Sequence, residues 1–423
     1  MALQSLYKFN IDYIIFIVCY TKQVNLGIKL NKYHRLIALF VVIFGITVFQ
    51  SCENNPSDLG LEFILSDTLN TKVLDSNKDS ILITSNNFKK YVNTYTSNYF
   101  FIGKYQGYES KALLKTIGVS GSYAGATVLS ASLKFNYSKY AYQDTTGSVS
   151  FNVYPLNKSF DFSNITFDSV NSGNIGSNQL STYSGSPSDT NAINISFSTA
   201  VAKDWLEYAA DTSYASKNYG IAFIPNSSSS TIKGFGGHSQ SSTNANLIPK
   251  VVIIANKNNK TDTLVYDLET ISLNNVTSST YIQDRFTVQN GISIYNILNF
   301  DLSKLPRNSI INEAYLRLKL DKPVSYLPSG SSMEMYYFMM TDTVTKTFDG
   351  GTSLISLIED SVTVSVRLTK YFQKWNYGLA ANYGVMFKNR NDFLNLDRFV
   401  FYGPGVQDTS KRPKLLIRYT PRG

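Results

Sequence analysis

Histidine and cysteine are nearly absent from this chain, and their scarcity excludes several kinds of site. The 423 residues include two cysteines and two histidines. Only Cys52 and His238 lie beyond the first 51 residues. A single cysteine cannot form a disulfide within that region, and a zinc site of the usual nitrogen and sulfur type lacks ligands. A triad hydrolase would depend on His238, in a glycine-rich stretch where the sequence singles out no carboxylate partner.

The motifs of common enzyme classes are missing as well. The sequence has no HExxH, no P-loop and no strand-GxGxxG-helix unit. Its nearest paired carboxylates are Glu359 with Asp360, and Asp204 with Glu207. Because many such pairs arise by chance, we interpret them as solvated turns rather than as a glycosidase pair. We therefore predict no catalytic residue, no metal site and no cofactor, and hence no enzyme.

Charged residues are also scarce. Asp, Glu, Lys and Arg make up 16% of the chain, and the formal net charge is +9. The first 51 residues account for +4 of that charge, which leaves +5 over the other 372 residues, without a Lys/Arg cluster. So small a basic excess argues against nucleic acid as a partner.

Aromatic and small polar residues are abundant instead. The chain has 30 Tyr and 26 Phe, with many Ser, Thr and Asn between them, and 43% of its residues are hydrophobic. Such a composition excludes disorder throughout the chain and favours pleated strands joined by polar turns.

The first 51 residues resemble a lipoprotein signal peptide. Lys29, Lys32 and Arg35 precede a run of 14 apolar residues, 36–49, which is too short to span a bilayer comfortably. Ser51 then precedes Cys52, as in the lipobox of bacterial lipoproteins, where the cysteine is acylated and becomes the new N-terminus. We predict cleavage between Ser51 and Cys52 and a covalent lipid on Cys52; the alternative is an uncleaved signal anchor with an incidental cysteine.

A long-period repeat indicates two copies of one module. A shift of 183 residues places 114–117 and 127–135 over 297–300 and 310–318. Further downstream, Asn218-Tyr-Gly220 matches Asn382-Tyr-Gly384, and Pro249-Lys250 matches Pro413-Lys414. Thirty residues separate the tyrosine from the proline in both copies. Identical spacing in the same order predicts a duplication.

Each copy has the period-two alternation of strands. Leu133, Phe135 and Tyr137 alternate with polar residues, as do Leu316 and Leu318. Many such short segments predict an all-β chain of two tandem related β-sandwich domains, jelly-roll-like.

One short helix is predicted per copy, containing Trp205 and Trp375, respectively. Val201, Trp205 and Ala209 fall on one helical face, as do Leu368, Phe372 and Trp375. We predict that both tryptophans are core residues rather than ligand platforms.

The predicted boundaries divide the chain into four segments. These are an N-terminal extension and signal peptide (1–51), a polar tether (52–84), a first β-sandwich (85–266) and a second β-sandwich (267–423). The stretch Lys257-Asn-Asn-Lys-Thr-Asp262 is predicted to be the inter-domain turn, with pairing of Leu264-Val-Tyr266 to the first sandwich left open.

The chain resembles the DUF4270 lipoproteins of Bacteroidetes-type bacteria. The resemblance rests on Cys52 followed by Asp58-Leu-Gly60, on Phe101–Tyr105, on Tyr281-Ile-Gln283, on Ile311–Leu316 and on Arg412–Tyr419. Its Ala-x-Leu, Trp, Asn-Tyr-Gly and Pro-Lys-Leu signposts are also similar to those of DNRLRE-type β-sandwich modules, some of which bind polysaccharide. The first resemblance implies an envelope lipoprotein without an established activity, and neither assigns a binding residue.

A third resemblance concerns modification. Asp followed by Ser or Thr and then by an apolar residue or Thr is similar to an O-glycosylation sequon of these bacteria. The candidate hydroxyls are those of Thr68, Ser80, Thr145, Ser169, Thr263, Thr343 and Ser361. The alternative is that Asp-Ser/Thr opens turns before strands.

One loop is rich in oxygen donors. Asn389, Asn391, Asp392, Asn395 and Asp397 could hold calcium, although the loop lacks the EF-hand order. We predict that it binds no metal.

Three functional hypotheses follow. The first is a non-enzymatic, lipid-anchored outer-membrane lipoprotein that acts as a binding or adaptor component of an envelope complex, with another envelope protein as partner. The second is a glycan-binding surface lipoprotein, and the third is a polysaccharide-active enzyme. The sequence does not indicate which face of the membrane the protein occupies, its ligand, its oligomeric state or its true start codon.

Overall fold

The computed structural model describes residues 70–422, apart from residues 80, 189–191, 239–244, 277–281, 293, 328–332, 350–352, 357–361 and 391. Asn70–Gly423 form one compact unit. No described helix is long and apolar enough to cross a membrane.

The described residues form mostly strands. The first part of the chain contains β1 Lys72–Asp75, β2 Ile83–Lys89, β3 Tyr99–Tyr105, β4 Tyr108–Thr116, β5 Thr127–Tyr142, β6 Val149–Pro155, β7 Ser181–Gly185, β8 Ala192–Ser196, helix α1 Thr199–Ala210, β9 Ile221–Pro225, β10 Ile232–Gly236, β11 Lys250–Lys257 and β12 Lys260–Val276. The second part contains β13 Arg285–Gln289, β14 Ile294–Phe300, β15 Ile310–Lys319, β16 Glu334–Met339, β17 Ser353–Ser356, β18 Thr363–Arg367, helix α2 Thr369–Asn376, β19 Val385–Asn389, β20 Arg398–Tyr402 and β21 Lys414–Thr420.

Two sandwiches with the same topology account for these strands. The small sheet of the first sandwich has the order β12-β11-β5-β8, and that of the second has the order β1-β21-β15-β18. The large sheets contain β10-β3-β4-β9-β6-β7 and β20-β13-β14-β19-β16-β17. Strands β3 to β11 therefore occupy the same places as β13 to β21. The all-β prediction with two related sandwiches is confirmed.

The alternation in the sequence places aromatic side chains between the sheets. Phe135, Phe223 and Phe235 are fully buried in the first core, and Phe286 and Phe387 in the second. Burying a phenylalanine contributes about 2–3 kcal/mol. The aromatic-rich composition is therefore used mainly to fill two cores.

The repeated Asn-Tyr-Gly motif occupies equivalent turns. Gly220 has a φ of +103° and Gly384 a φ of +89°, a region that favours glycine. A Cβ on either residue would lie 2.5 Å from a backbone oxygen, that of Leu114 or of Leu298. The motif is thus explained by close backbone approach rather than by ligand binding.

The strand that closes each sandwich comes from an unexpected part of the chain. Strand β12 precedes the second copy in sequence, but its first half pairs with β11 and its second half with β4, both in the first sandwich. Strands β1 and β2 precede the first copy, but they pair with β21 and β14 in the second sandwich. Each sandwich is therefore completed by the segment that precedes the other one.

The register shows that these closing strands are equivalent. Leu264 lies opposite Ile253, four residues after Pro249. Leu74 lies opposite Ile417, which also follows its proline, Pro413, by four residues. In the large sheets, Thr270 of β12 pairs with Leu114, and Asn86 of β2 pairs with Ile297. Leu114 and Ile297 are related by the shift of 183 residues.

Two predicted boundaries are therefore wrong. The polar tether was expected over 52–84, yet β1 and the start of β2 lie within it. The first sandwich was expected to end at residue 266, yet β12 pairs with β4 as far as Val276. Strand β1 has only four residues and β2 is mostly polar, so neither shows a clear hydrophobic alternation. The predicted inter-domain turn at Lys257–Asp262 is also wrong, because this stretch contains the hairpin turn between β11 and β12. Leu264-Val-Tyr266 pairs with the first sandwich, the possibility that the sequence left open.

The two sandwiches contact each other through a buried cluster that combines apolar and polar side chains. Gln289 donates from Nε2 to the Tyr142 hydroxyl at 3.2 Å, and Arg398 donates to the Tyr108 hydroxyl at 3.0 Å. Tyr326 donates to the backbone oxygen of Ala141. Burial raises the pKa of Tyr326 to about 12, so its neutral form is favoured in the folded protein.

Closure by β2 can be tested with two neighbouring residues. Ile83 is 6% exposed and belongs to the second core, whereas Leu82 is 61% exposed. Ile83→Ala should lower the free energy of unfolding by about 2–4 kcal/mol, because it leaves a cavity, and Leu82→Ala by less than about 0.5 kcal/mol. Urea denaturation followed by circular dichroism measures both. Equal effects would show that β2 is not inserted in the core.

The contact between the sandwiches should weaken at alkaline pH. The folded pKa of Tyr326 lies above the ordinary value of 10, so its contribution is complete below pH 10 and is lost as the pH rises towards 12. We expect Tyr326→Phe to lose less stability than the wild type between pH 9 and pH 11, by up to about 1 kcal/mol after solvent screening. Denaturation curves at both pH values measure the difference, and an identical loss in the two proteins would contradict it.

Candidate functional site

Several predicted sites lie outside the described residues. These are the cleavage residue Ser51, the lipidation residue Cys52, and the hydroxyls of Thr68, Ser80 and Ser361. They stay predictions.

Three described glycosylation candidates are accessible and one is less so. Thr145, Thr263 and Thr343 are exposed. Ser169 is half-buried, and its hydroxyl lies 3.0 Å from that of Thr166. A transferase could therefore reach the first three in the folded protein more easily than Ser169.

The aspartates before two of these threonines form similar turns. Asp144 Oδ1 accepts from the backbone N–H groups of Thr146 and Gly147, both at 2.9 Å. Asp342 Oδ1 accepts from Val344 and Thr345, both at 2.7 Å. Hydrogen bonds to these charged oxygens lower both pKa values. The turn explains the aspartates without a glycan, so the two interpretations remain open.

His238 is not part of a described catalytic arrangement. It is half-buried, and its backbone N–H donates to Thr270 Oγ1 at 3.2 Å. Asp204 accepts from the Tyr214 hydroxyl at 3.2 Å, and Glu207 accepts from the Gly125 N–H at 2.8 Å. Within the described ranges, no group of three His, Cys, Asp or Glu residues could hold a metal.

The oxygen-rich loop is used for internal contacts. Asp392 Oδ2 accepts from the Tyr295 hydroxyl at 2.6 Å and pairs with Lys388 Nζ at 3.0 Å. Asp397 Oδ1 accepts from the Tyr140 hydroxyl at 3.2 Å, which joins the loop to the first sandwich. An ammonium group beside Asp392 opposes a cation there. Asn391 lies outside the described residues.

Both tryptophans are core residues, as expected. Trp205 is 4% exposed and packs on Phe197, with ring centroids 5.2 Å apart. Trp375 is 7% exposed and packs on Phe372, also with centroids 5.2 Å apart. Helices α1 and α2 cover the segments in which the sequence predicted an apolar helical face. The indole Nε1 of Trp375 nevertheless has no described hydrogen-bond partner.

Two cavities flank helix α2 at one end of the second sandwich. The first, of about 480 Å³, is lined by Arg307, Asn308, Trp375, Tyr377 and Asn382 among other residues. The second, of about 430 Å³, is lined by Ile311, Tyr337, Arg367, Thr369, Lys370, Gln373, Lys374 and Leu379. Together they place cations, amides and apolar side chains around the same short helix.

This end of the molecule is basic, and we call it the basic tip. It is defined by Lys72, Arg307, Arg367, Lys370, Leu379 and Arg422. Its five cationic residues are exposed, and none of them forms an ion pair with a described residue. Leu379, which is 76% exposed, is an apolar side chain among these cations. This cluster is not evident in the sequence because its members are far apart in the chain.

Comparisons with known proteins identify no relative. No protein-family model matches the chain, and no curated protein matches it. One solved structure, titled "BspA_C_mut", is 8% identical, with 84% of this chain and 85% of that chain covered and a TM-score of 0.12. We draw no conclusion about fold or function from so low a score.

The accessible hydroxyls make the glycosylation hypothesis testable. If the sequon is used, the intact mass of the mature protein should exceed that of the lipidated polypeptide by whole glycan units. Thr145→Val and Thr343→Val should each remove one unit, because both hydroxyls are exposed. Mass spectrometry measures this, with Thr146→Val as the control next to Thr145. A mass equal to that of the lipidated polypeptide would exclude the modification.

Proposed function

We propose that this chain is a non-enzymatic outer-membrane lipoprotein, anchored through a lipid on Cys52, that serves as a binding or adaptor component of the cell envelope. One observation carries the proposal: β1, the described strand nearest to the predicted anchor in sequence, is hydrogen-bonded to β21, the last described strand. Seventeen residues separate Cys52 from Asn70, where the compact unit begins. A lipid on Cys52 would therefore hold both sandwiches at the membrane through a strand of their own fold.

The absence of catalysis is part of the proposal. Of the paired carboxylates considered from the sequence, Glu359 and Asp360 lie outside the described residues. Asp204 accepts from Tyr214, and Glu207 accepts from Gly125. Their partners give each a structural role. The resemblance to DUF4270 lipoproteins stays a prediction that agrees with this proposal.

A second candidate function is glycan binding, which the 480 Å³ cavity favours. Amide groups of Asn308, Asn376 and Asn382 and the guanidinium of Arg307 surround it, and Trp375 and Tyr377 supply aromatic rings. Amides and a cation beside aromatic rings suit the hydroxyls and C–H faces of a sugar.

Metabolic labelling with palmitate tests the anchor. We expect the label in the wild-type protein and its loss in Cys52→Ser, because only a thiol at this position is acylated in the proposed pathway. Cys19→Ser is the matched control, since Cys19 lies in the predicted leader and should leave labelling unchanged. Fractionation should place the wild type with the outer membrane. An unlabelled wild-type protein, or one found free in the cytosol, would overturn the proposal.

Two further measurements separate the candidate functions. Co-purification of one stoichiometric envelope protein from solubilised membranes supports the adaptor role. Binding on a glycan array that is lost in Arg307→Ala supports the glycan role.

A further inference from the structure

The basic tip lies where the tether joins the folded unit. Lys72 pairs with Tyr419, which in turn pairs with Ile311. The backbone N–H of Ile311 donates to Gln373 Oε1 at 2.8 Å, so the start of β1 is connected to helix α2. On the other side of the helix, the guanidinium of Arg422 lies 5.7 Å from the ring centre of Tyr377. The start of β1, the described strand nearest to Cys52 in sequence, therefore lies beside these cations.

We propose that the basic tip docks on the anionic phospholipid surface to which the acyl chains of Cys52 attach the protein. This inference rests on the proposed lipid anchor. Exposed Lys and Arg side chains are attracted to anionic headgroups, and Leu379 can enter the boundary between headgroups and acyl chains. One end of the second sandwich then faces the membrane, and the remaining surface faces away from it.

The duplication supplies an internal comparison for the charge. Helix α2 contains Lys370 and Lys374 and no acidic residue, whereas the equivalent helix α1 contains Asp204 and Glu207 beside Lys203. The tip of the first sandwich is therefore mixed in charge. The uniformly basic helix belongs to the sandwich that is closed by β1, the strand connected to the anchor. The cations therefore lie in the sandwich that contains the strand nearest to the anchor, and they are not a feature that both sandwiches share.

Two acidic residues near the tip are already paired with other cations. Asp349 pairs with Lys374 at 3.3 Å, and Glu313 pairs with Arg418 at 3.3 Å. The cations that define the tip are additional to these pairs. The segment before the compact unit, residues 52–69, carries Glu53, Asp58, Glu62 and Asp67 and no cation. This acidic segment is the alternative partner of the basic tip, and an experiment must distinguish it from the membrane.

Vesicle binding of the unacylated chain from residue 53 onward tests the inference. This chain contains the whole compact unit with both cores closed by its own strands. We expect binding to vesicles of phosphatidylethanolamine and phosphatidylglycerol that weakens with salt, and no binding to phosphatidylcholine vesicles. Arg307→Glu combined with Lys370→Glu should weaken binding at least about tenfold.

Two matched controls separate the tip from net charge and from general hydrophobicity. Lys139→Glu combined with Lys203→Glu changes the charge equally on the first sandwich and should leave binding within about twofold of wild type. Leu379→Ser should weaken binding, whereas Leu129→Ser, at another exposed leucine, should not. Thermal unfolding confirms that each variant is folded.

Three results would overturn the inference. The first is equal binding to neutral and anionic vesicles, and the second is equal weakening by the two pairs of charge-reversal substitutions. The third is no vesicle binding at all, which is also the result expected if the acidic segment before the compact unit occupies the tip. None of them affects palmitate labelling of Cys52. Failure of the docking inference is therefore distinguishable from failure of the proposed anchor.

Discussion

The fold depends on backbone hydrogen bonds between the first and the last of the described strands. Strand β1 pairs with β21, and the backbone N–H of Leu415 donates to Ser76 Oγ across a separation of 339 residues. Without β1 and β2, the edge of β21 and one side of β14 would present unpaired N–H and C=O groups. Their insertion satisfies these groups and adds Ile81 and Ile83 to the second core. The same role is performed in the first sandwich by the single strand β12.

This exchange makes the two sandwiches one structural unit. Each is closed by a segment that precedes the other in sequence, and a buried cluster of tyrosines, Gln289 and Arg398 joins them. The duplicated modules differ where one of them meets the tether. Helix α2 is basic and is followed by the exposed Leu379, whereas α1 is mixed in charge and is followed by Asp211. Duplication thus preserved the core positions and left the surface free to diverge.

Sequence reasoning succeeded where the pattern is local and strong. Strands β5 and β15 begin at Thr127 and Ile310, which are related by the shift of 183 residues read from the sequence. The tryptophans were assigned to the core because each lies on an apolar helical face. The closing strands were missed for a physical reason. Asn86 and Asn87 of β2 pair with residues of β14. Because β14 contributes most of the apolar contacts, β2 itself needs little hydrophobic alternation. The basic tip was missed because only the fold brings Lys72, Arg307 and Lys370 together.

The pairing of β1 with β21 also sets an order of events during biosynthesis. Strand β1 is made before the other described strands and its partner β21 after them, so the second sandwich cannot close until β21 has been made. Pairing over so long a separation is slow, because the chain entropy must be lost before the contacts form. A chain exported in an unfolded state would meet this requirement after translocation, when both ends are present together. In a chain exported as the proposed lipoprotein, this topology keeps the second sandwich open until β1 and β21 are on the same side of the membrane.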